Sequence, residues 1–186
     1  MGANPDPLDR IHARFAQLLV LSTALAATLG LLLTVAPAEA ASRTVHDPAG
    51  DASARLDITR FTVSNTSKRI VAVIRVQDLR KTGVFQQRYF DSTFDSLLSY
   101  GVQVRRDRKG HLHVAAFRDD ENGDNNIACR GVRGRWLMGR NLVTTSMPVR
   151  CATGVAFDPL HVNAVSFDPG DLGVADSTRN FAVQRD

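Results

Sequence analysis

Beyond residue 56, apolar and polar positions alternate with a period of two. The runs are short, rich in β-branched residues and separated by turn formers, which is the pattern of half-buried strands rather than helices. The clearest run is 69–77 (RIVAVIRVQ), with Ile70, Ala72, Ile74 and Val76 on one face. Val71 and Val73 make its other face partly apolar, as expected of a strand central in its sheet. Ahead of it residues 61–63 alternate and Asn65-Thr66-Ser67-Lys68 supplies a polar turn, so the two runs predict a hairpin. Residues 100–106 and 112–117 flank Asp107-Arg108-Lys109-Gly110 and predict another. Further strands are expected over 125–129, 135–138, 142–147, 162–167 and 181–184. Strands at this spacing predict an all-β fold, an antiparallel β-sandwich or jelly roll, in a single domain over residues 41–186.

Residues 80–98 break the alternation. Phe85, Tyr89, Phe90 and Phe94 crowd into this stretch, with Phe90 and Phe94 at helical spacing and Leu97 and Leu98 beyond. The spacing predicts a short helix or packed loop covering a sheet edge, with the rings buried as packing. An exposed aromatic platform for a sugar is the functional alternative.

The first forty residues have a different character. Arg10 and Arg14 precede an almost wholly apolar run over 18–35, followed by Pro37 and the small-residue site Ala38-Glu39-Ala40. This is the layout of a secretory signal peptide, helical in its apolar part and cleaved after Ala40, although the run is close to the length of an uncleaved anchor. No second apolar run follows, so no membrane span is expected after cleavage. The protein is expected to be secreted or held in the cell envelope. The chain carries a formal net charge of +4, and losing Asp6, Asp9 and Glu39 with only Arg10 and Arg14 leaves the remainder slightly more basic. Only Lys68, Lys81 and Lys109 are lysines, a bias that high-GC coding produces without any demand for guanidinium chemistry.

Cys129 and Cys151 are the only cysteines. An even pair without metal-ligand spacing in an exported chain predicts a disulfide, which would contribute about 3 kcal/mol in the chain-entropy model.

Four groups of residues are candidates for chemistry. The segment TVHDPAGDASARLDI, residues 44–58, sets Asp47, Asp51 and Asp57 around Pro48 and Gly50. A calcium ion takes six to eight oxygen ligands in flexible geometry, and these carboxylates with nearby carbonyls would supply several of them. The expectation is a structural calcium site assembled by the fold; the competing reading is a turn joining the first two strands. The acidic loop 119–126 (DDENGDNN) offers Asp120, Asn122, Asp124 and Asn126 at every second position, but Gly123 and Gly131 are misplaced for an EF-hand, so a polar hairpin tip is its alternative. His111 and His113 share one face of a strand, which suits two metal ligands, yet the sequence names no third. Arg105, Arg106, Arg108 and Lys109 at one hairpin, and Arg130, Arg133, Arg135 and Arg140 near Trp136, would attract anionic wall polymers or phosphate groups. No nucleic-acid module accompanies them, and no nucleic-acid partner is expected.

No catalytic residues are assigned. His46, His111, His113 and His161 sit in no HExxH or GxSxG context and beside no cysteine at a recognisable spacing, so an enzyme is not expected.

HDPAGDA followed by LDI, an apolar strand ending in Asp78-Leu79, and the later Cys129, Trp136, Met147-Pro148 and Arg150-Cys151 resemble small exported β-sandwich proteins of actinobacteria. The front motif is also similar to the start of family-9 carbohydrate-binding modules and DOMON-like sandwiches. That resemblance implies an aspartate-bearing N-terminal segment near a structural calcium. It covers residues 44–79 and 129–151. Trp136 is the only tryptophan, so the paired-tryptophan platform of sugar-binding members has no counterpart here. Together these readings predict a module that binds a partner or forms part of the envelope without catalysis. Its expected partner is a cell-wall polysaccharide or another envelope protein. A structural or protein-interaction domain without a small ligand and an unrecognised secreted hydrolase are the alternatives.

Overall fold

The alternation of apolar residues becomes two antiparallel sheets packed face to face in a computed structural model that describes residues 41–90, 98–120, 123–152, 158–168 and 173–186. The expected signal peptide over residues 1–40, and Phe94 and Leu97, lie outside the described residues.

The five-stranded sheet is built from β1 (Ala41–His46), β2 (Ile58–Asn65), β3 (Arg69–Val76), β8 (Arg133–Leu137) and β9 (Leu142–Pro148), in the order β1-β2-β3-β9-β8. The seven-stranded sheet uses β4 (Gly83–Phe90), β5 (Ser99–Arg106), β6 (Leu112–Asp120), β7 (Gly123–Ile127), β10 (Leu160–Phe167), β11 (Val174–Ser177) and β12 (Phe181–Val183). Its order is β11-β10-β4-β5-β6-β7, with β12 also paired to β10. Among the described residues the helical turns are short 3-10 segments, Met138–Arg140 and Val149–Cys151. No helix among them is long and apolar enough to cross a membrane.

The expected β-sandwich is present, and β3 shows why its pattern was readable. It lies between β2 and β9, burying Ile70, Ala72, Ile74 and Val76 while Val71 and Val73 face outward. Across the core, Phe61 from β2 meets Phe181 from β12 edge-on, with ring centroids 5.6 Å apart. Each fully buried ring of this kind contributes about 1.5–3 kcal/mol relative to exposure.

Residues 83–90 differ from expectation: they form strand β4, between β10 and β5, and not a helix or covering loop. Phe85, Gln87 and Tyr89 alternate onto the core face. The polar Gln87 in the middle of that face hides the period. The fold accommodates it because Thr145 of β9 and the Tyr89 hydroxyl both donate to Gln87 Oε1, the latter at 3.4 Å. Phe85 also packs edge-on against Trp136 at 5.4 Å, and the Trp136 Nε1–H donates to the Arg80 carbonyl at 2.9 Å. Phe85 and Tyr89 are therefore core, and neither is available as part of a sugar platform.

Candidate metal centre

The segment after β1 is shaped by backbone bonds before any ligand is considered. Asp47 N–H donates to Thr59 O at 3.2 Å, extending the β1–β2 pairing by one step. Pro48, Ala49 and Gly50 then turn the chain, and Gly50 adopts a left-handed φ of +99° that favours glycine. Leu56 and Asp57 N–H groups donate to Ser53 O, and Gln77 and Asp78 N–H groups donate to Asp57 O and Ala54 O. The loop is thus tied to the end of β3.

Asp57 is fully buried at the base of this loop. One of its oxygens, Oδ2, accepts the Gly50 N–H at 2.6 Å, whereas Oδ1 is buried without a hydrogen-bond partner. Asp47 Oδ2 is buried and unpartnered in the same way. From the far end of the chain β11 brings in Asp176, also buried, whose Oδ2 accepts the Ile58 N–H at 2.6 Å.

Asp47, Asp51 and Asp176 each offer an oxygen, and these atoms all lie within 4.8 Å of one another. Of the carboxylates read from the sequence, the structure brings Asp47 and Asp51 together and completes the set with Asp176. Asp57 stands outside that set and supports the loop from beneath. Nothing near Asp176 in the sequence marks it, because its role arises from the pairing of β11 with β10.

The electrostatics follow from the crowding. Burial, then the charges of Asp176, Asp51 and Asp57, push the Asp47 carboxyl up to about 6, with Arg179 opposing. Asp176 is raised as well, first by burial and also by Asp51 and Asp57, against the stabilising Ile58 and Ser177 N–H groups. Carboxylates so arranged repel unless protons or a cation neutralise them. The donors are all oxygen, which selects hard cations over thiophilic or imidazole-seeking metals. Oxygens around one calcium ion, at about 2.3–2.6 Å from it, can be up to about 5 Å apart, which the cluster satisfies.

The other candidates fall elsewhere. Cys129 and Cys151 are disulfide-bonded with Cα atoms 5.7 Å apart, linking the segment after β7 to the turn after β9 and so one sheet to the other. That bond is compatible with an extracytoplasmic location. The acidic loop is a hairpin tip, with Asp119 paired to Asp124 and Asp120 to Gly123, and residues 121 and 122 lie outside the described residues. Arg133 and Arg135 project from β8 on the outer face of the five-stranded sheet. His111 and His113 flank Leu112 at the start of β6, next to Asp107. Compared with protein-family models, with curated proteins and with solved structures, the chain matches none.

Proposed function

We propose that the protein is an extracytoplasmic, non-catalytic β-sandwich module in which calcium, held by Asp47, Asp51 and Asp176, fixes the N-terminal loop. The observation that carries this reading is the convergence of three carboxylates above Asp57, a fully buried carboxylate with an unpartnered oxygen. Melting the protein in calcium and in chelator tests it. Calcium raises the midpoint, and Asp51→Ala abolishes the gain; an unchanged midpoint in the unsubstituted protein would refute the site.

The partner we propose is an anionic cell-wall polysaccharide, on the outer face of the five-stranded sheet. There the register aligns Thr44, Thr62, Val73, Thr144 and Arg135 in one row. Ser42, Ser64, Val71, Ser146 and Arg133 form the next, and Arg60 faces Arg75 beyond. These rows hold hydroxyls and guanidiniums around Val71 and Val73 at their centre, and no carboxylate. Hydroxyl donors bordered by arginines suit a polymer of repeated anions. Co-sedimentation with polygalacturonate should weaken on Arg133→Glu/Arg135→Glu, and neutral dextran should not be retained. Equal retention of the charge-reversed variant would exclude this face.

A further inference from the structure

We propose that the hairpin joining β5 to β6 carries a separate surface site for a divalent transition metal of the zinc class, with His111, His113 and Asp107 as ligands. The turn Asp107-Arg108-Lys109-Gly110 is closed by Gly110 N–H to Asp107 O at 3.0 Å and Asp107 N–H to His111 O at 3.1 Å. Arg106 Nε–H bonds the Gly110 carbonyl at 3.1 Å and braces it further. Within this frame Asp107 Oδ1 accepts the His111 N–H at 2.9 Å. Its other oxygen, Oδ2, is presented to both imidazoles, 3.2 Å from His111 Nδ1 and 3.3 Å from His113 Nε2.

These separations suit coordination. Bonds of about 2.0–2.1 Å to nitrogen and oxygen in a tetrahedral site place neighbouring ligand atoms about 3.3–3.4 Å apart. Two edges of such a tetrahedron are therefore already formed. The remaining edge, between the two ring nitrogens, is longer than in such a tetrahedron, and metal binding requires the rings to turn toward one another. Both rings hydrogen-bond Asp107 Oδ2, and the side chains of His111 and His113, 68% and 49% exposed, have open space in which to make that turn. An Oδ1 held by the backbone leaves Oδ2 oriented for a metal, which is how supporting hydrogen bonds usually position ligating carboxylates. Imidazole and carboxylate together favour zinc or copper over calcium, so this site and the carboxylate cluster select different ions. Arg105, the cross-strand partner of His113, and Arg108 and Lys109 in the turn repel any cation there. They limit affinity without removing a donor.

The test is a zinc titration of the disulfide-bonded protein at pH 7.5 with calcium in excess, followed by the imidazole proton resonances. Shifts confined to His111 and His113, and at least about tenfold weaker binding in His111→Ala, His113→Ala and Asp107→Asn, are expected. Asp107→Asn keeps an oxygen that can accept the His111 N–H, so it reports on charge and not on the turn. His161→Ala should bind zinc as the unsubstituted protein does. Zinc binding unaffected by all three hairpin substitutions, or no perturbation of either imidazole, would overturn the assignment.

Discussion

The carboxylate of Asp176 accepts the backbone N–H of Ile58 at 2.6 Å across 118 positions of chain, so that a strand of the seven-stranded sheet completes the first residue of a strand in the other. This bond separates two roles for the acidic cluster. Asp176→Ala removes a cation ligand and also leaves a buried N–H unpaired, at a cost of about 1–3 kcal/mol even in chelator. Asp51 is exposed and in the metal-free state only adds repulsion to Asp47 and Asp176, so Asp51→Ala should leave the metal-free midpoint unchanged or slightly raised and abolish the calcium-dependent gain. Thermal melts of both variants with and without calcium distinguish the roles, and a metal-free loss in Asp51→Ala equal to that in Asp176→Ala would contradict this division.

The Asp47 carboxyl sets a pH dependence whose sign is fixed by its direction of shift. Its pKa in the fold, about 6, lies above the ordinary value of 3.8, so the folded state holds this proton more tightly than the unfolded chain. Its contribution is fully present below the ordinary value and is lost as pH rises through about 6. Discounted for solvent screening at a partly exposed site, the loss is about 1 kcal/mol. In chelator, Asp47→Asn should therefore gain stability relative to the unsubstituted protein between pH 4 and 7. Calcium should bind more tightly as pH rises through the same window, because it competes with the proton. A difference between the two proteins that does not vary with pH would reject this.

Thr145 and Gln87 form the polar contact at the centre of the core. Thr145→Val removes the hydroxyl donated to Gln87 Oε1 and leaves a buried amide less satisfied, Nε2 being already without a partner. A loss of about 1–3 kcal/mol in urea unfolding is expected, with an unchanged m-value.

Gly101 is required by space. A Cβ there would stand 2.2 Å from the Gln87 carbonyl and 2.3 Å from the Phe117 ring, so Gly101→Ala forces apart β4, β5 and β6. The expected cost is about 3 kcal/mol, at the upper end for overpacked sites. At Gly139 a Cβ meets nothing within 4 Å, and Gly139→Ala should shift the midpoint little.

What could be read in the sequence depended on whether neighbours or distant partners settled each residue. β3 was legible because its burial is written in its own alternation, and the two turns at 65–68 and 107–110 because turn chemistry is local. β4 was not, since Gln87 is tolerated on the core face only through Thr145, 58 positions away. The strand β1 escaped because Ala41–His46 buries only Val45. Asp47 and Asp51 stood out as a local cluster, but Asp176 is selected by strand pairing, and Asp57 serves the loop through Gly50. The third candidate ligand beside His111 and His113 went unnamed for a simpler reason. Asp107 read as a turn former, and only the folded hairpin shows its Oδ2 turned toward both rings.

The disulfide lies by the Arg69–Pro148 end of the five-stranded sheet, whereas the bond from Ile58 to Asp176 lies at its Arg75–Leu142 end. A sandwich fastened at both rims has no free lip from which its layers can peel. Opening has to begin at one fastening, and with calcium bound beside Asp176 as proposed the two would yield to different reagents. Reductant should first release amides of β9 near Pro148 to hydrogen exchange, leaving Ile58 protected. Chelator should do the reverse, so the order in which the two rims exchange becomes a direct record of which one was loosened.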